Sequence, residues 1–389
     1  MGEAAFRPSE EREIGVGMLG YGFMGKAHSR AFIDVPLFFP FPPVRSRLVA
    51  IYGRTEKGLS DAAKRYGYRR YYTDWRKVVA DGEVQIVDNV LPNIQHLEPC
   101  LAAFDAGKHV ICEKPLAWDL AEARTLQRAS SQAHVKSMVA FNYRFVPAIQ
   151  FARQLINEGH LGRIVQFRAS YLQDWIMGPE FPLVWRLRKE IAGSGALGDL
   201  GSHMLDLARL LVGEVASVCG MAKTFQTERQ LLEDPKQKGK VDVDDAFISM
   251  LRFENGAIGS VEASRFTAGR KNFARIEVHG TKGSLGFNME RLGEIEFYSS
   301  DDPDIMRGYK RIVVGEQAHP YGENWWPVGH VLGWGDVFIN EAHHFVDCVA
   351  NDKPVGPLGA TFDDGCKNNE ILEAIARSIE KNSWISLPL

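Results

Sequence analysis

Over the first third of the chain, short β-rich apolar runs alternate with stretches of helical spacing. The apolar runs fall at 16–19, 48–52, 86–90, 109–112 and 137–140, and the helical stretches at 59–66, 75–80, 96–106 and 120–131. That alternation predicts a parallel, doubly wound sheet with short loops. Residues 38–43, Phe-Phe-Pro-Phe-Pro-Pro, interrupt the pattern. Consecutive prolines cannot continue a helix, so an ordered surface loop or a rim of a cleft is expected there. After Pro147 the character changes. A helix at 148–157 leads into β-like runs at 164–173, 215–224, 246–253, 257–267, 275–280, 283–288, 294–298 and 311–314, with one strong helix at 202–211. Many strands with few helices predict an α+β domain on one large open, mainly antiparallel sheet. The polar segment 226–240 reads as a mobile loop, and 338–350 and 365–381 as terminal helices. The expected architecture is therefore an α/β domain over 1–145 followed by an α+β domain over 146–389, the last helix free to pack back on the first domain. No internal repeat or low-complexity segment stands out.

Length agrees with two domains, since 389 residues exceed what one hydrophobic core usually supports. A net charge of -3 without a Lys/Arg-rich run argues against a nucleic-acid partner. No uninterrupted apolar run of about 18 residues is present, which argues against a membrane span. The charged N-terminal segment does not read as a secretory signal, and Phe6 stands where a myristoylation motif wants Ser or Thr. Five scattered cysteines without a C-x-x-C pair fit a reducing, cytoplasmic setting better than a disulfide or zinc framework.

The first apolar run opens into Gly20-x-Gly22-x-x-Gly25. In a dinucleotide-binding (Rossmann) turn the first glycine permits the strand-to-helix turn. The second lets backbone approach a pyrophosphate, and the third lets the helix close on the strand. The position after a strand and before helix-compatible residues 26–32 supports NAD or NADP as cofactor. Tyr21, Phe23 and Met24 belong to the same turn. At the end of the second strand Gly53-Arg54-Thr55 replaces the acid that would take both ribose hydroxyls of NAD. Arg54 and Thr55 could instead pair with a 2′-phosphate, which tilts the reading toward NADP.

Four further segments, taken with the glycine turn, resemble the Gfo/Idh/MocA family of glucose–fructose oxidoreductase, inositol dehydrogenase and their relatives. They are Leu91-Pro-Asn-Ile-Gln-His96, Cys112-Glu-Lys-Pro115, Phe141-Asn-Tyr-Arg144, and Gly193-Ser-Gly-Ala-Leu-Gly-Asp199-Leu-Gly-Ser-His203. Tyr171-Leu-Gln-Asp-Trp175, His319-Pro-Tyr-Gly-Glu323 and the length resemble, within it, levoglucosan dehydrogenase and related sugar 3-dehydrogenases. The resemblance implies a Rossmann domain, a C-terminal α+β domain, and a homodimer or homotetramer built through the C-terminal sheet. It also implies that Leu91, Pro92, Asn93, His96, Glu113 and Asn142 line the cofactor side, although His96 reads equally as an ordinary helix residue. A Gly-Arg pair also occurs in family members that use NAD, the arginine there covering the adenine.

Lys114 follows an apolar strand at the end where open α/β sheets bind ligands, so its ammonium could hold a substrate oxygen and stabilise alkoxide charge. Asp199 and His203, spaced i, i+4, can project from one helix face. Histidine's intrinsic pKa suits His203 to take a hydroxyl proton near neutrality. Asp199 could orient the hydroxyl, tune His203, or simply cap the helix in competition with Ser202. Asp206 reads as a supporting acid and His28 as structural. Tyr143, Arg144, Gln173, Trp175, Trp185 and Arg186 supply the polar groups and aromatic faces that a sugar requires. The crowded Trp325, Trp326 and Trp334 could form a lid or an oligomer contact. The spacing of His203, His343 and His344 matches no metal site. The expected reaction is hydride transfer between the nicotinamide and a secondary hydroxyl of a sugar, anhydrosugar or cyclic polyol. An NAD-dependent glycosidase acting by transient oxidation and a non-catalytic nucleotide sensor are the alternatives.

Overall fold

The computed structural model describes residues 13–39 and 44–389. Strand β1 (Glu13–Leu19) is buried from its second residue onward, as a parallel strand covered on both faces must be. It ends at Gly20, whose φ of +114° is costly for any residue with a Cβ, and the chain turns into helix α1 (Phe23–Phe38). There follow β2 (Arg45–Tyr52), α2 (Glu56–Tyr66), β3 (Arg70–Tyr72), α3 (Trp75–Val79), β4 (Ile86–Asn89), α4 (Leu97–Asp105), β5 (His109–Cys112), α5 (Leu120–Gln132) and β6 (Ser137–Val139). These six strands form one parallel sheet in the order β3-β2-β1-β4-β5-β6. The winding reverses between β1 and β4, so the glycine turn and the segment after β4 flank the ligand-binding crevice of the sheet. Only β3 escapes the apolar pattern, being three half-exposed residues at the sheet edge.

The remainder supplies α6 (Pro147–Asn157), β7 (Ile164–Leu172), α7 (Lys189–Ala192), α8 (Ser202–Leu211), β8 (Val215–Lys223), β9 (Glu228–Gln230), β10 (Lys238–Lys240) and β11 (Ala246–Phe253). After them come β12 (Ile258–Ser264), β13 (Phe273–Gly280), β14 (Gly283–Asn288), β15 (Glu294–Ser299), β16 (Lys310–Val313), α9 (Val337–Ala350), α10 (Phe362–Lys381) and β17 (Ile385–Ser386). Nine of the strands form a second sheet, β16-β15-β14-β13-β7-β12-β11-β8-β17, antiparallel at every pairing except β7 with β12. Along β11, Phe247, Ser249, Leu251 and Phe253 are buried while Ile248, Met250 and Arg252 are not, so one face meets the helices and the other is open. Helix α9 packs on α1, and α10 packs on both α5 and β8, tying the two sheets together. Among the described residues no helix is long and apolar enough to cross a membrane.

One sequence reading needs correction. Residues 226–240 are an ordered hairpin of β9 and β10, not a mobile loop. Its Arg229 is buried, and the guanidinium donates to the carbonyls of Ile176, Gly178 and Phe181. That anchors the hairpin against the segment carrying Trp175. Helix α1 ends at Phe38, the first residue of the expected 38–43 loop, and Phe39 caps it. Phe38 packs on Trp325 at 4.1 Å and Phe39 stacks on His343 at 3.7 Å, so tertiary contacts hold this end. Residues 40–43 of that expected loop, and the N-terminal segment before Glu13, lie outside the described residues.

Candidate active site

A cleft of about 590 Å³ lies where the carboxyl ends of β1, β4 and β5 face the second sheet. Its first wall is made of Phe23 and Met24 from the glycine turn, Val90, Leu91 and Asn93 after β4, and Glu113, Lys114 and Pro115 after β5. Asn142, Tyr143, Tyr171, Gln173, Trp175, Trp185, Arg186, Asp199, His203, Arg265, Asn272 and Trp334 complete it.

Lys114, Asp199 and His203 converge here. Lys114 Nζ lies 3.1 Å from Asp199 Oδ1 and 2.9 Å from its backbone oxygen. A wide π-helical turn at Leu197–Gly201 leads into α8 and carries Asp199, with His203 one turn later. Asp199 caps no helix. Asp244 instead accepts from the N–H groups of Gly195 and Leu197, both at 2.8 Å, leaving the Asp199 carboxylate free for the cleft. Buried Arg265 approaches its other oxygen at 3.6 Å. Burial alone would raise the Asp199 pKa, but Lys114, Arg186 and Arg265 outweigh it and hold the carboxyl well below the usual range. Burial, helped by the charge of Lys114, pushes the His203 imidazole well below its ordinary value, with Asp199 opposing. His203 is therefore neutral at neutral pH. Its Nδ1 is sealed without a hydrogen-bond partner, which leaves Nε2 as the nitrogen that can meet a ligand. The Tyr143 ring packs 4.5 Å away.

The opposite wall is one hydrogen-bonded chain. Tyr143 and Tyr171 hydroxyls lie 2.7 Å apart, and Tyr171 donates to Asn272 Oδ1 at 2.8 Å. Gln173 Nε2 donates to the same oxygen at 2.7 Å, while Trp175 Nε1 donates to Gln173 Oε1 at 2.8 Å. Trp334 donates to the Tyr143 hydroxyl at 3.3 Å and stacks on Phe23 of the glycine turn at 5.2 Å. The tryptophan-rich segment thus lies across α1, with Trp334 in the cleft and Trp325 bonded to Asn340.

The fit to a dinucleotide rests on three features. A Cβ on Gly22 would meet nothing within 4 Å, the open backbone face that a phosphate needs. A Cβ on Gly25 would collide with the Gly20 carbonyl, so the helix start depends on glycine. Asn142 is buried with its Nδ2 unpartnered at the cleft, a donor awaiting an acceptor. Tyr21 covers Gly53, where a side chain would run into its ring. Arg54 and Thr55 are exposed just beyond β2.

Of the predicted substrate-side residues Arg144 is not in the cleft lining, and of the cofactor-side ones Gly20, Tyr21, Gly22, Gly25, Arg54, Thr55, Pro92 and His96 are not. Arg144 forms a two-pronged buried pair with Asp206, at 2.8 and 2.6 Å, because a fully desolvated carboxylate requires a compensating charge. His96 is buried between the Leu91 carbonyl at 2.9 Å and those of Pro115 and Leu116 at 3.1 and 3.2 Å. It joins the two loops flanking the cofactor side. Pro92 starts the short turn that carries Asn93, whose amide donates to the Ala192 carbonyl at 2.8 Å. Conversely, Arg265, Asn272, Tyr171 and Trp334 line the cleft without having been singled out as site residues. Only Tyr171, in a segment carrying the family resemblance, and Trp334, among the crowded tryptophans, had a sequence signal.

Residues 14–141 match the family described as "Oxidoreductase family, NAD-binding Rossmann fold", and residues 149–286 match the "GFO/IDH/MocA C-terminal domain". Levoglucosan dehydrogenase of Pseudarthrobacter phenanthrenivorans is 43% identical over 97% of this chain and 99% of its own length. The solved structure of levoglucosan dehydrogenase with NADH and levoglucosan superimposes with a TM-score of 0.93, at 43% identity over 97% of this chain and all of that one. An oxidoreductase domain protein from Kribbella flavida is also similar, with a TM-score of 0.93 at 42% identity and coverage of 97% and 100%. With both domains matched in order and the cleft between them, the chain belongs to the Gfo/Idh/MocA oxidoreductases, a family of NAD-binding Rossmann enzymes.

Proposed function

We propose that this enzyme oxidises a secondary hydroxyl of a sugar or anhydrosugar, with residues 1–145 holding NAD and residues 146–389 supplying most of the substrate wall. The observation that carries the reading is a neutral, buried His203 beside the Lys114–Asp199 pair, facing the glycine turn across one cleft. NAD, when bound, supplies the hydride acceptor. His203 Nε2 takes the hydroxyl proton as the C–H bond releases its hydride, so an alcohol yields a ketone, a reduced cofactor and a proton. Lys114 holds the oxygen and stabilises the alkoxide-like charge, and Asp199 orients both. Gln173, Trp175, Trp185 and Arg186 bind the remaining hydroxyls and C–H faces.

Levoglucosan is the first substrate to try, because an anhydrosugar presents few hydroxyls to a wall rich in aromatic rings. NAD is favoured over the NADP suggested by Arg54, on the family description and the NADH complex of the relative. The open face of the second sheet exposes Met221, Ile248, Met250 and Ile258, which suits a homo-oligomer packed through that sheet. The test is reduction of NAD and NADP against levoglucosan, glucose and inositols. Turnover of one sugar that His203→Ala abolishes supports the reading. Tight nucleotide binding with no turnover on any of them would refute it.

A further inference from the structure

Beneath the cofactor end of the cleft, four titratable side chains meet that the reaction above does not use. His28 on α1 lies with its Nδ1 2.9 Å from Asp88 Oδ2 on β4, and its Nε2 3.3 Å from Glu113 Oε1 after β5. Glu341 on α9 adjoins them, and all four are buried. Glu113 Oε2 accepts from the Lys114 N–H at 3.0 Å, and its Oε1 faces the His28 Nε2 at 3.3 Å as a charge contact without hydrogen-bond geometry, while the carboxylate still lines the cleft. Buried carboxylates persist only where a cation or donors compensate them. Among these four, His28 is the single side chain able to carry positive charge.

The charges agree with the geometry. Burial works against a charged His28, but Asp88 and Glu113 outweigh it and raise its pKa well above the ordinary value. Burial would likewise raise Glu113, yet His28 and Lys114 bring it below the usual range. Glu341, lacking such a partner, is pushed up by burial to about 8 and is neutral. Lys114 pairs its ammonium with Asp199 and acts on Glu113 only through its charge. The cleft is therefore polarised, cationic around Asp199 and anionic at Glu113.

We propose that His28 is a positioning residue that fixes the Glu113 carboxylate at the floor of the cleft, and that this fixed charge favours the oxidised, cationic nicotinamide over the reduced, neutral one. The inference rests on NAD binding at this cleft. The experiment measures dissociation constants of NAD and NADH for the wild type, Glu113→Gln, His28→Gln and the double variant, with thermal melts alongside.

Glu113→Gln keeps the shape and removes the charge, so NAD affinity falls about tenfold while NADH affinity changes less than about twofold. His28→Gln shifts the NAD-to-NADH ratio in the same direction. The double variant matches Glu113→Gln, because His28 acts through Glu113. Equal weakening of both nucleotides by Glu113→Gln, or an unchanged ratio in His28→Gln, overturns the proposal while leaving the assigned reaction intact. Should His28→Gln not fold, the ratio in Glu113→Gln decides alone. A wild type that binds neither nucleotide overturns the functional reading as well.

Discussion

Lys114→Met tests the chemistry most directly. The ammonium sits 3.1 Å from Asp199 Oδ1 with only 15% of its side chain exposed, so its charge is poorly screened. A full negative charge about 4 Å from a cation gains about 4 kcal/mol at an effective dielectric near 20. The alkoxide is only partly developed at the transition state, so removing the cation should lower kcat roughly 10²- to 10³-fold. The same substitution moves a pH limb. Activity in the oxidative direction requires neutral His203, and kcat/KM falls on the acid side as the imidazole gains its proton. Burial and the Lys114 charge both depress that pKa, so in the wild type the limb lies below the ordinary histidine value. Without the Lys114 cation the limb moves up in pH. Without the Asp199 charge, which opposes the depression, it moves further down in Asp199→Asn. The assay is initial-rate NADH formation across pH for the three proteins. A Lys114→Met enzyme within tenfold of wild type would refute the role of Lys114. Limbs shifting in the same direction in both variants would refute the assignment of the base.

Three further outcomes follow from contacts around the cleft. Arg144→Met strands Asp206 as an unpaired buried carboxylate, so urea unfolding should show a loss of about 3–5 kcal/mol while the sugar KM stays near wild type. Asn272→Leu removes the oxygen that the Tyr171 hydroxyl and the Gln173 amide share, leaving Tyr171 only its Tyr143 partner and the Gln173 amide unpaired at a cost of about 1–3 kcal/mol. KM for the sugar should therefore rise more than kcat falls, and the reverse split would assign Asn272 to the chemistry. Glu341 titrates near 8 in the folded chain against an ordinary 4.5, so the folded state holds a proton that the unfolded state has lost across that interval. Stability then declines as pH rises from about 4.5 to about 8, by up to about 1.4 kcal/mol per pH unit from this group. The Tm advantage of Glu341→Gln should grow over the same range, and a constant difference would show that Glu341 is not titrating there.

What the sequence made legible is what local sequence determines. Strand β1, the φ of Gly20 and the crowding at Gly25 belong to one short segment, so the glycine pattern could be read as a turn with a purpose. The alternation of the first domain was equally readable, because a parallel strand buried on both faces must be apolar throughout. Edge strands such as β3 and β17 lack that constraint and were missed. The hairpin at 228–240 was missed for another reason. Its polar, charged sequence gives no sign that Arg229 will be buried under three carbonyls from a distant loop.

The site divides along the same line. Asp199 could be a helix cap or a ligand-facing acid, and nothing in the local sequence decides between them. The decision is made by where the helical turn begins: it starts at Leu197, ahead of Asp199, with Asp244 from far along the chain accepting from the Gly195 and Leu197 amides at its start. Arg144 shows the converse: it adjoins Asn142 and Tyr143, which face the cleft, yet it turns inward because Asp206 on α8 must be neutralised. Arg265, just after β12, and Asn272, just before β13, reach the cleft only because the second sheet sets those strand ends beside it, which sequence pattern does not encode. A side chain's chemistry can be read from the sequence, but the partner that frees or captures it is fixed by long-range packing. That is why the Lys114–Asp199–His203 cluster was recognisable and the Arg265 charge that helps to hold down the Asp199 pKa was not.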